Sequence, residues 1–479
     1  MKVTSEEQKR TRKNIIAIVV IISFAFLIFT VPQVLGKKIS LILSISALLL
    51  VSVYVVLSFE LIHRTSIALL GAIIIIAAAI STGLIRPETS FEFIVNVIDY
   101  NTIGLLLGMM IIVAILAESG VFQWVGVKAS KASKGNLWKL FLVLCTFTAV
   151  ASMFIDNVTT ILLMAPVTFS VFRKFGISPV PFVLAQALAS NVGGTATLIG
   201  DPPNIMIGSG ANIDFNAFIV HMGPTIAISF VASMFLLRLF FRKDLKSKVR
   251  NLEELMKEDE NALLKDKNLL KKSLIVLIGV ITLFVIHGYL HIQPSVIALG
   301  GAAVLMVITR APPERIFHEV DWPTLLFFTG LFIIVGTAEQ AGMIRILSSA
   351  VVDLTQGNPW LTFAMIIWSS AIASAFIDNI PFTATMIPLI HTINTNPNIA
   401  ATFGVFQISP LWWALSLGAN LGGNGTIIGS SAGVVAAGMS QKHGYLLSFN
   451  RWFKVGFPFM IMTVAIGTLI LALDIILRF

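Results

Sequence analysis

Charge and cysteine are what this chain has least of. Of 479 residues, 12% are Asp, Glu, Lys or Arg and one is cysteine. Soluble domains carry roughly twice that charge, which excludes a soluble enzyme, a disordered protein and a collagen-like chain. Cys145 stands alone in an apolar run, so there is no disulfide framework and no thiolate metal cluster. No GxxxxGK[ST] phosphate loop occurs, so no ATPase domain of that kind is present. What is abundant is apolar sequence. No Asp, Glu, Lys or Arg lies between Asn14 and Gly36, Ser40 and Phe59, Thr65 and Ile85, or Asn379 and Gln441. About 20 such residues cross a hydrocarbon core of roughly 30 Å as a helix. The fold class expected is an all-α polytopic membrane protein.

The net charge of +9 needs no nucleic-acid partner. With the N-terminus cytoplasmic and the spans alternating, only Lys37, Lys38, Arg86, Arg345 and Arg478 of the 33 basic residues face outward. That bias follows the positive-inside rule and leaves the C-terminus external. Lys9, Arg10, Arg12 and Lys13 before an apolar run superficially resemble a signal peptide. The run is long and lacks a small-residue cleavage site, so it reads as a retained first span near 14–36.

One long polar stretch, Arg242 to Lys272, has helical amphipathic character and reads as a cytoplasmic linker between two similar halves. Ala151-Ser-Met-Phe-Ile-Asp-Asn157 matches Ala373-Ser-Ala-Phe-Ile-Asp-Asn379, and the same offset pairs Gly108 with Gly330 and Asp99 with Asp321. Asn191-Val-Gly-Gly-Thr-Ala-Thr-Leu-Ile-Gly200 matches Asn420-Leu-Gly-Gly-Asn-Gly-Thr-Ile-Ile-Gly429. The organisation expected is a tail and extra helix over 1–39, a first repeat over 40–241, a linker over 242–271 and a second repeat over 272–479. Each repeat offers three spans, a two-armed unit (138–173 and 360–391), an interrupted span (180–210 and 402–440) and a last span. If the two-armed units are re-entrant, with half-length arms, each half crosses five times. The second half is then inverted, and the chain has about 11 transmembrane helices.

Non-helical backbone at membrane depth is tolerated only when buried in protein or lining a cavity. The Asn-x-Gly-Gly segments are such places, because unwound carbonyls can bind a cation and a half-helix N-terminus an anion. The bland reading of the glycines is helix packing. Asp156 and Asp378 sit in apolar spans, where an ionisable group is a functional hypothesis by default. Each is either a coupling site for H+ or Na+ or a plain helix N-cap. Asp201 breaks the internal symmetry, since Ser430 stands at its register. It either distinguishes the two half-sites or is a turn residue before Pro202-Pro203. The candidate substrate and ion-binding residues are Asp156, Asn157, Thr159, Asn191, Gly194, Thr195 and Thr197 with Asp378, Asn379, Thr383, Asn420, Gly423, Asn424 and Thr426. Asp156, Asp378 and Asp201 are the candidate coupling residues. No catalytic residue, resident metal or cofactor is expected; the coupling ion is H+ or Na+, the hairpin tips being the candidate place for Na+. Asp99 and Asp321 read as caps, His287 and His291 as an incomplete metal pair. Lys128, Lys131 and Lys134 after Trp124 suggest an amphipathic helix on the cytoplasmic surface.

Ser152-Met-Phe-Ile-Asp-Asn-Val-Thr-Thr160 and Asn191 through Asp201-Pro-Pro-Asn204 resemble the ion transporter superfamily. It includes arsenite permeases, NhaD-type Na+/H+ antiporters, citrate permeases with a CitMHS domain and divalent-anion/Na+ symporters. Phe376-Ile-Asp-Asn-Ile-Pro-Phe-Thr-Ala-Thr-Met386 and Leu421-Gly-Gly-Asn-Gly-Thr-Ile-Ile-Gly429 are most similar to its P-protein (pink-eyed dilution) branch. The resemblance implies eleven helices, two re-entrant hairpins and a homodimer working by an elevator-type movement. It places Asp156, Asn157 and Val158, and Asp378, Asn379 and Ile380, at the tips, where the symporter branch has Ser-Asn-Thr. A dicarboxylate beside two carboxylates would be repelled, so dicarboxylate uptake is disfavoured. The expectation is an ion-coupled secondary permease of a small anion or metalloid such as arsenite or antimonite, in the cell membrane. The alternatives are a Na+/H+ antiporter of the same fold and, from another class, a passive anion channel.

Overall fold

The computed structural model describes residues 16, 19–23, 40–59, 61–250, 252–257 and 259–478. Most of the expected first span at 14–36 lies outside them. Among the described residues all regular structure is helical. Among the described residues, eight helices are long and apolar enough to cross a membrane: Leu41–Ser58, Arg64–Ser81, Tyr100–Glu118, Phe215–Phe240, Lys267–Leu290, Trp322–Gln340, Pro359–Phe376 and Phe449–Arg478. Both expected interruptions are present. The first separates Val180–Gly194 from Pro202–Ala211, the second Pro410–Gly422 from Ser431–Lys442.

The two-armed segments depart from expectation in arm length. Their arms are Leu137–Ser152 and Asn157–Lys174, then Pro359–Phe376 and Asn379–Asn394, with 16, 18, 18 and 16 residues. At 1.5 Å per residue each is about 24–27 Å long, well over half a bilayer core. The reason is capping outside the apolar run: the Asn136 side chain accepts from Lys139 N and starts the first arm before Phe141. The linker carries a short α-helix at Leu252–Lys257 between 3-10 turns at Asp244–Lys246 and Glu260–Leu263. It is tied to the Val121–Ser133 helix by the Lys131–Glu260 pair and to the turn before that helix by Lys265 N–H, which donates to Ser119 O at 3.0 Å. The Lys131 ammonium holds the Glu260 carboxyl below its ordinary range. Lys128 lies 4.2 Å from the Trp124 ring centre, a cation–π contact on the same helix.

The chain forms two compact units, and neither coincides with a sequence half. One comprises Met1–Ile103, Asp321–Thr362 and Pro381–Gln407; the other comprises Gly104–Val320, Phe363–Ile380 and Ile408–Phe479. Each unit contains a close crossing between helices of different repeats. In the first, Arg64–Ser81 packs on Trp322–Gln340 at Gly330, where a Cβ would fall 2.7 Å from the Ala68 carbonyl carbon. In the second, Pro294–Thr309 meets Tyr100–Glu118 at Gly108, where a Cβ would fall 2.4 Å from the Ala298 carbonyl carbon. Small residues at such crossings let backbones approach closely enough for dispersion to hold helices together in lipid. The repeat match of Gly108 with Gly330 is therefore a match of packing geometry.

The second unit carries the two broken spans. Every residue of Val180–Gly194 and of Pro410–Gly422 is buried. A helix buried all round is a central one. Its polar side chains must find partners inside the protein, because an unpaired buried polar group costs free energy.

Candidate ion and substrate site

The tip residues are set by helix capping. Asp156 is the N-cap of Asn157–Lys174, with Oδ1 accepting from Thr159 N at 2.9 Å. At the equivalent place in the second half stands Pro381, which has no N–H to donate. Asp378 Oδ1 accordingly accepts from Ile380 N at 3.0 Å, and its Oδ2 accepts from Ser431 Oγ at 2.9 Å. Both aspartates thus cap their helices.

The glycines of the broken spans are required for proximity, since none between 193 and 200 or 422 and 429 has positive φ. A Cβ on Gly193 would fall 2.1 Å from Ala149 O, and one on Gly200 2.4 Å from Ser152 O. Their counterparts Gly422 and Gly429 press in the same way on Ala371 and on Ser374 O. Gly194 and Gly423 lie against the carbonyls of Gly200 and Gly429. Threonines complete the attachment: Thr197 Oγ1 donates to Met153 O, and Thr426 Oγ1 to Ala375 O. Each unwound loop is thereby fastened to the segment leading into its tip, at matching positions in the two halves.

Asp201 joins the halves. Fully buried, it accepts from Asn157 Nδ2 at 2.8 Å through Oδ2 and from Asn379 Nδ2 at 3.3 Å through Oδ1. One carboxylate therefore holds both tip asparagines. Asn157 Nδ2 also donates to Asn191 Oδ1 at 3.0 Å. Asn191 Nδ2 in turn donates to Asn424 Oδ1 at 3.0 Å and Ser430 Oγ at 2.9 Å. Asn204 supports the first loop from within, its Nδ2 lying 3.3, 3.1 and 2.8 Å from the carbonyls of Gly194, Thr195 and Thr197. Its Oδ1 accepts from Ser416 Oγ and Asn420 Nδ2, each at 2.6 Å. The second loop is held from outside, where Trp452 Nε1 donates to Asn424 O at 3.0 Å.

Most of the residues expected from sequence meet here, and some only as backbone. Asp156, Asn157, Asn191, Asp201, Asp378, Asn379, Asn420 and Asn424 enter through their side chains. Thr159 supplies the N–H that Asp156 caps. Thr195 spends its hydroxyl on Asn191 O at 2.7 Å, so its contribution to the network is its carbonyl. Thr383 is buried in the other compact unit. Asn204, Ser416, Ser430, Ser431 and Trp452 were not among the expected site residues. Asn204 ends the Asp201-Pro-Pro motif and Ser430-Ser431 stand at the register of Asp201-Pro202, so those three were findable. Ser416 and Trp452 carry no such signal. His287, one of the incomplete metal pair, instead accepts from Phe215 N at 3.2 Å and contacts Ile292 O through Nδ1 at 3.2 Å.

The tip carboxylates and amide oxygens are hard donors, suited to a proton or an alkali cation rather than to a soft metal. Two polar atoms of the network, Asn420 Oδ1 and Asn424 Nδ2, are buried without a partner.

A family profile for citrate transporters (CitMHS) matches residues 54–418. The chain is 38% identical over 427 residues to the uncharacterized transporter Rv2684 of Mycobacterium tuberculosis, covering 89% of this chain and 97% of that one. It is 34% identical over 501 residues to the P protein of Homo sapiens, covering 88% of this chain and 59% of the P protein. Among solved structures, the YdaH transporter of Alcanivorax borkumensis shares the fold with a TM-score of 0.56 at 14% identity, over 86% of this chain and 98% of that one. MtrF of Neisseria gonorrhoeae, described among antimetabolite efflux pumps, does so with a TM-score of 0.54 at 11% identity, over 83% and 84%. By its helical architecture, its repeated Asp-Asn and Gly-Gly segments and the extent of the match, the chain belongs to the CitMHS family of membrane transporters.

Proposed function

We propose that the protein is an ion-coupled secondary transporter, an elevator-type permease, that moves a small anion or metalloid such as arsenite or antimonite with H+ or Na+. The single observation that carries this is Asp201: a fully buried carboxylate held by one amide from each tip. A buried carboxylate bonded by neutral amides alone is costly while ionised. Taking up a proton or Na+ relieves that cost, and releasing it restores the strain at both tips together. Cation occupancy is in this way linked to the conformation of both tips. Asp156 and Asp378 adjoin the two asparagines in sequence and share the coupling role.

A second reading, a Na+/H+ antiporter of the same fold, draws on the same carboxylates competing for two cations. The discriminating experiment is proton movement in proteoliposomes loaded with a pH dye, after separate pulses of Na+, arsenite and citrate. An H+-coupled permease is expected to answer to arsenite and to stay silent to Na+ alone, whereas a Na+-coupled one shows no pH change and is read by arsenite-dependent Na+ uptake. A Na+-evoked pH change that is lost in Asp201→Asn makes the protein the antiporter. Arsenite-evoked movement with unaltered pH dependence in Asp201→Asn removes Asp201 from coupling.

A further inference from the structure

The orientations of Asn420 and Asn424 are forced by their neighbours. Asn204 Nδ2 lies against three carbonyls, so its oxygen must face Asn420, and Asn420 must answer with Nδ2. That leaves Asn420 Oδ1 pointing elsewhere, with no partner. The Asp201 carboxylate likewise demands the Nδ2 of Asn157, whose second hydrogen goes to Asn191 Oδ1. Asn191 must then present Nδ2 to Asn424 Oδ1, leaving Asn424 Nδ2 without a partner. Flipping either amide would set a donor against a donor or an acceptor against an acceptor.

The first half shows what the unpaired acceptor lacks. Asn191 Oδ1, the counterpart of Asn420 Oδ1, accepts from the tip residue Asn157. The second tip's Asn379 instead donates to Asp201. The shared carboxylate therefore leaves the second half with one open acceptor and one open donor. Asn420 lies in the last turn of Pro410–Gly422 and Asn424 two residues beyond it, where the turn closed by Asn424 N–H on Leu421 O at 3.2 Å begins the unwound loop, and both are fully buried.

We infer that this donor–acceptor pair binds the transported solute through a hydroxyl or protonated-acid oxygen, so that the substrate is an uncharged, hydroxyl-bearing solute. The inference rests on the transporter reading above and narrows its substrate class. A metal cation would satisfy Asn420 Oδ1 and repel the Asn424 N–H. An ionised carboxylate would satisfy Asn424, leave Asn420 Oδ1 unpaired, and meet the field of Asp201, which the Asn424–Asn191–Asn157 bonds connect to the site. A hydroxyl donates to one amide and accepts from the other.

The test uses the full-length protein in detergent. Two uncharged hydroxylated probes, arsenous acid and boric acid, are compared with citrate, which is ionised at neutral pH, by the shift each causes in thermal unfolding. At least one uncharged probe is expected to protect the wild type, with citrate protecting less. Asn424→Asp keeps the oxygen that Asn191 needs and turns the open donor into an acceptor. It is expected to weaken the protecting probe about tenfold or more. Asn424→Ser, whose hydroxyl can still donate, loses less. Unfolding midpoints without probe show whether the variants fold. Protection by citrate alone, no protection by either uncharged probe, or unchanged protection in a folded Asn424→Asp protein overturns the inference; in the last case the amides bind only buried water. The same proteins assayed for stabilisation by Na+ or by protons separate the two readings. Loss of any cation response overturns the coupling proposal, whereas an intact cation response with failed probe results overturns only the substrate class.

Discussion

The two halves of the site use the same motif to different ends. In the first, the unwound loop is stapled internally by Asn204 and the helix after it begins with Asp201. In the second, Gly433 stands at the register of Asn204 and Ser430 at that of Asp201, and the loop is held by Trp452 from the last helix. Where the halves agree, at Gly193 with Gly422, Gly200 with Gly429 and Thr197 with Thr426, the residues fix backbone approach. Where they differ, the residues decide where charge and open hydrogen-bonding capacity sit. Symmetry thus builds the frame, and its breaking places the chemistry.

The strongest way to break the comparison is Asp201→Asn. The new amide presents a donor to one of two tip asparagines that already donate, and an unsatisfied buried amide costs roughly 1–3 kcal/mol. On a coupled step that is about a ten- to hundredfold loss. Cation-driven flux in proteoliposomes is expected to fall by that factor or more. Ser430→Asn, at the matching place in the second half, is expected to cost much less, because there the first half's Asn191 donates to a hydroxyl. Equal losses would mean that the asymmetry of charge is incidental.

Asp156→Asn and Asp378→Asn come next, and they isolate coupling from folding. Asparagine caps a helix about as well as aspartate, and at position 378 the Ser431 hydroxyl can reverse its role and accept. Unfolding midpoints are expected to stay close to wild type while the pH or Na+ dependence of flux is lost. Wild-type flux with unchanged pH dependence in either variant would reduce that aspartate to a cap.

Much of this was legible in the sequence. The repeated Asp-Asn and Asn-x-Gly-Gly strings located both tips and both broken spans, because a charge or a glycine pair inside an apolar run has few structural explanations. Arm length was not legible, since the polar residues that cap the arms lie beyond the apolar run. The roles of Thr195 and Thr197 were also hidden: a threonine hydroxyl that bonds its own helix or a nearby carbonyl looks the same in sequence as one that faces a ligand. Trp452 lies far along the chain from the loop it holds, and only the packing of Phe449–Arg478 against the second broken span brings them together.

Stability sharpens the comparison of the loops. Asn204→Ala removes the bonds to the loop carbonyls and leaves the Ser416 hydroxyl and Asn420 amide facing an empty place. With several buried groups left unpaired, a loss of roughly 3 kcal/mol or more is expected, read as a lowered unfolding midpoint. Trp452→Phe loses one neutral hydrogen bond and some packing volume, for roughly 1–2 kcal/mol. A larger loss from Trp452→Phe than from Asn204→Ala would reverse the assignment of which loop depends on its single staple.

The smallest effect expected is that of Thr159→Pro, which copies the second tip into the first. Proline is tolerated in the first turn of a helix, where its missing N–H has no intrahelical partner. The N–H it removes is the one Asp156 now caps. In the second half that loss is already made good, since Asp378 takes the preceding N–H, of Ile380. If Asp156 makes the same shift to Val158, the variant loses no hydrogen bond and its unfolding midpoint moves by less than about 0.5 kcal/mol. A cost near 1–2 kcal/mol would mean that the first tip cannot shift its cap. The reason would then lie in Asn157, whose two donated bonds, to Asn191 and Asp201, hold the first tip in its present register.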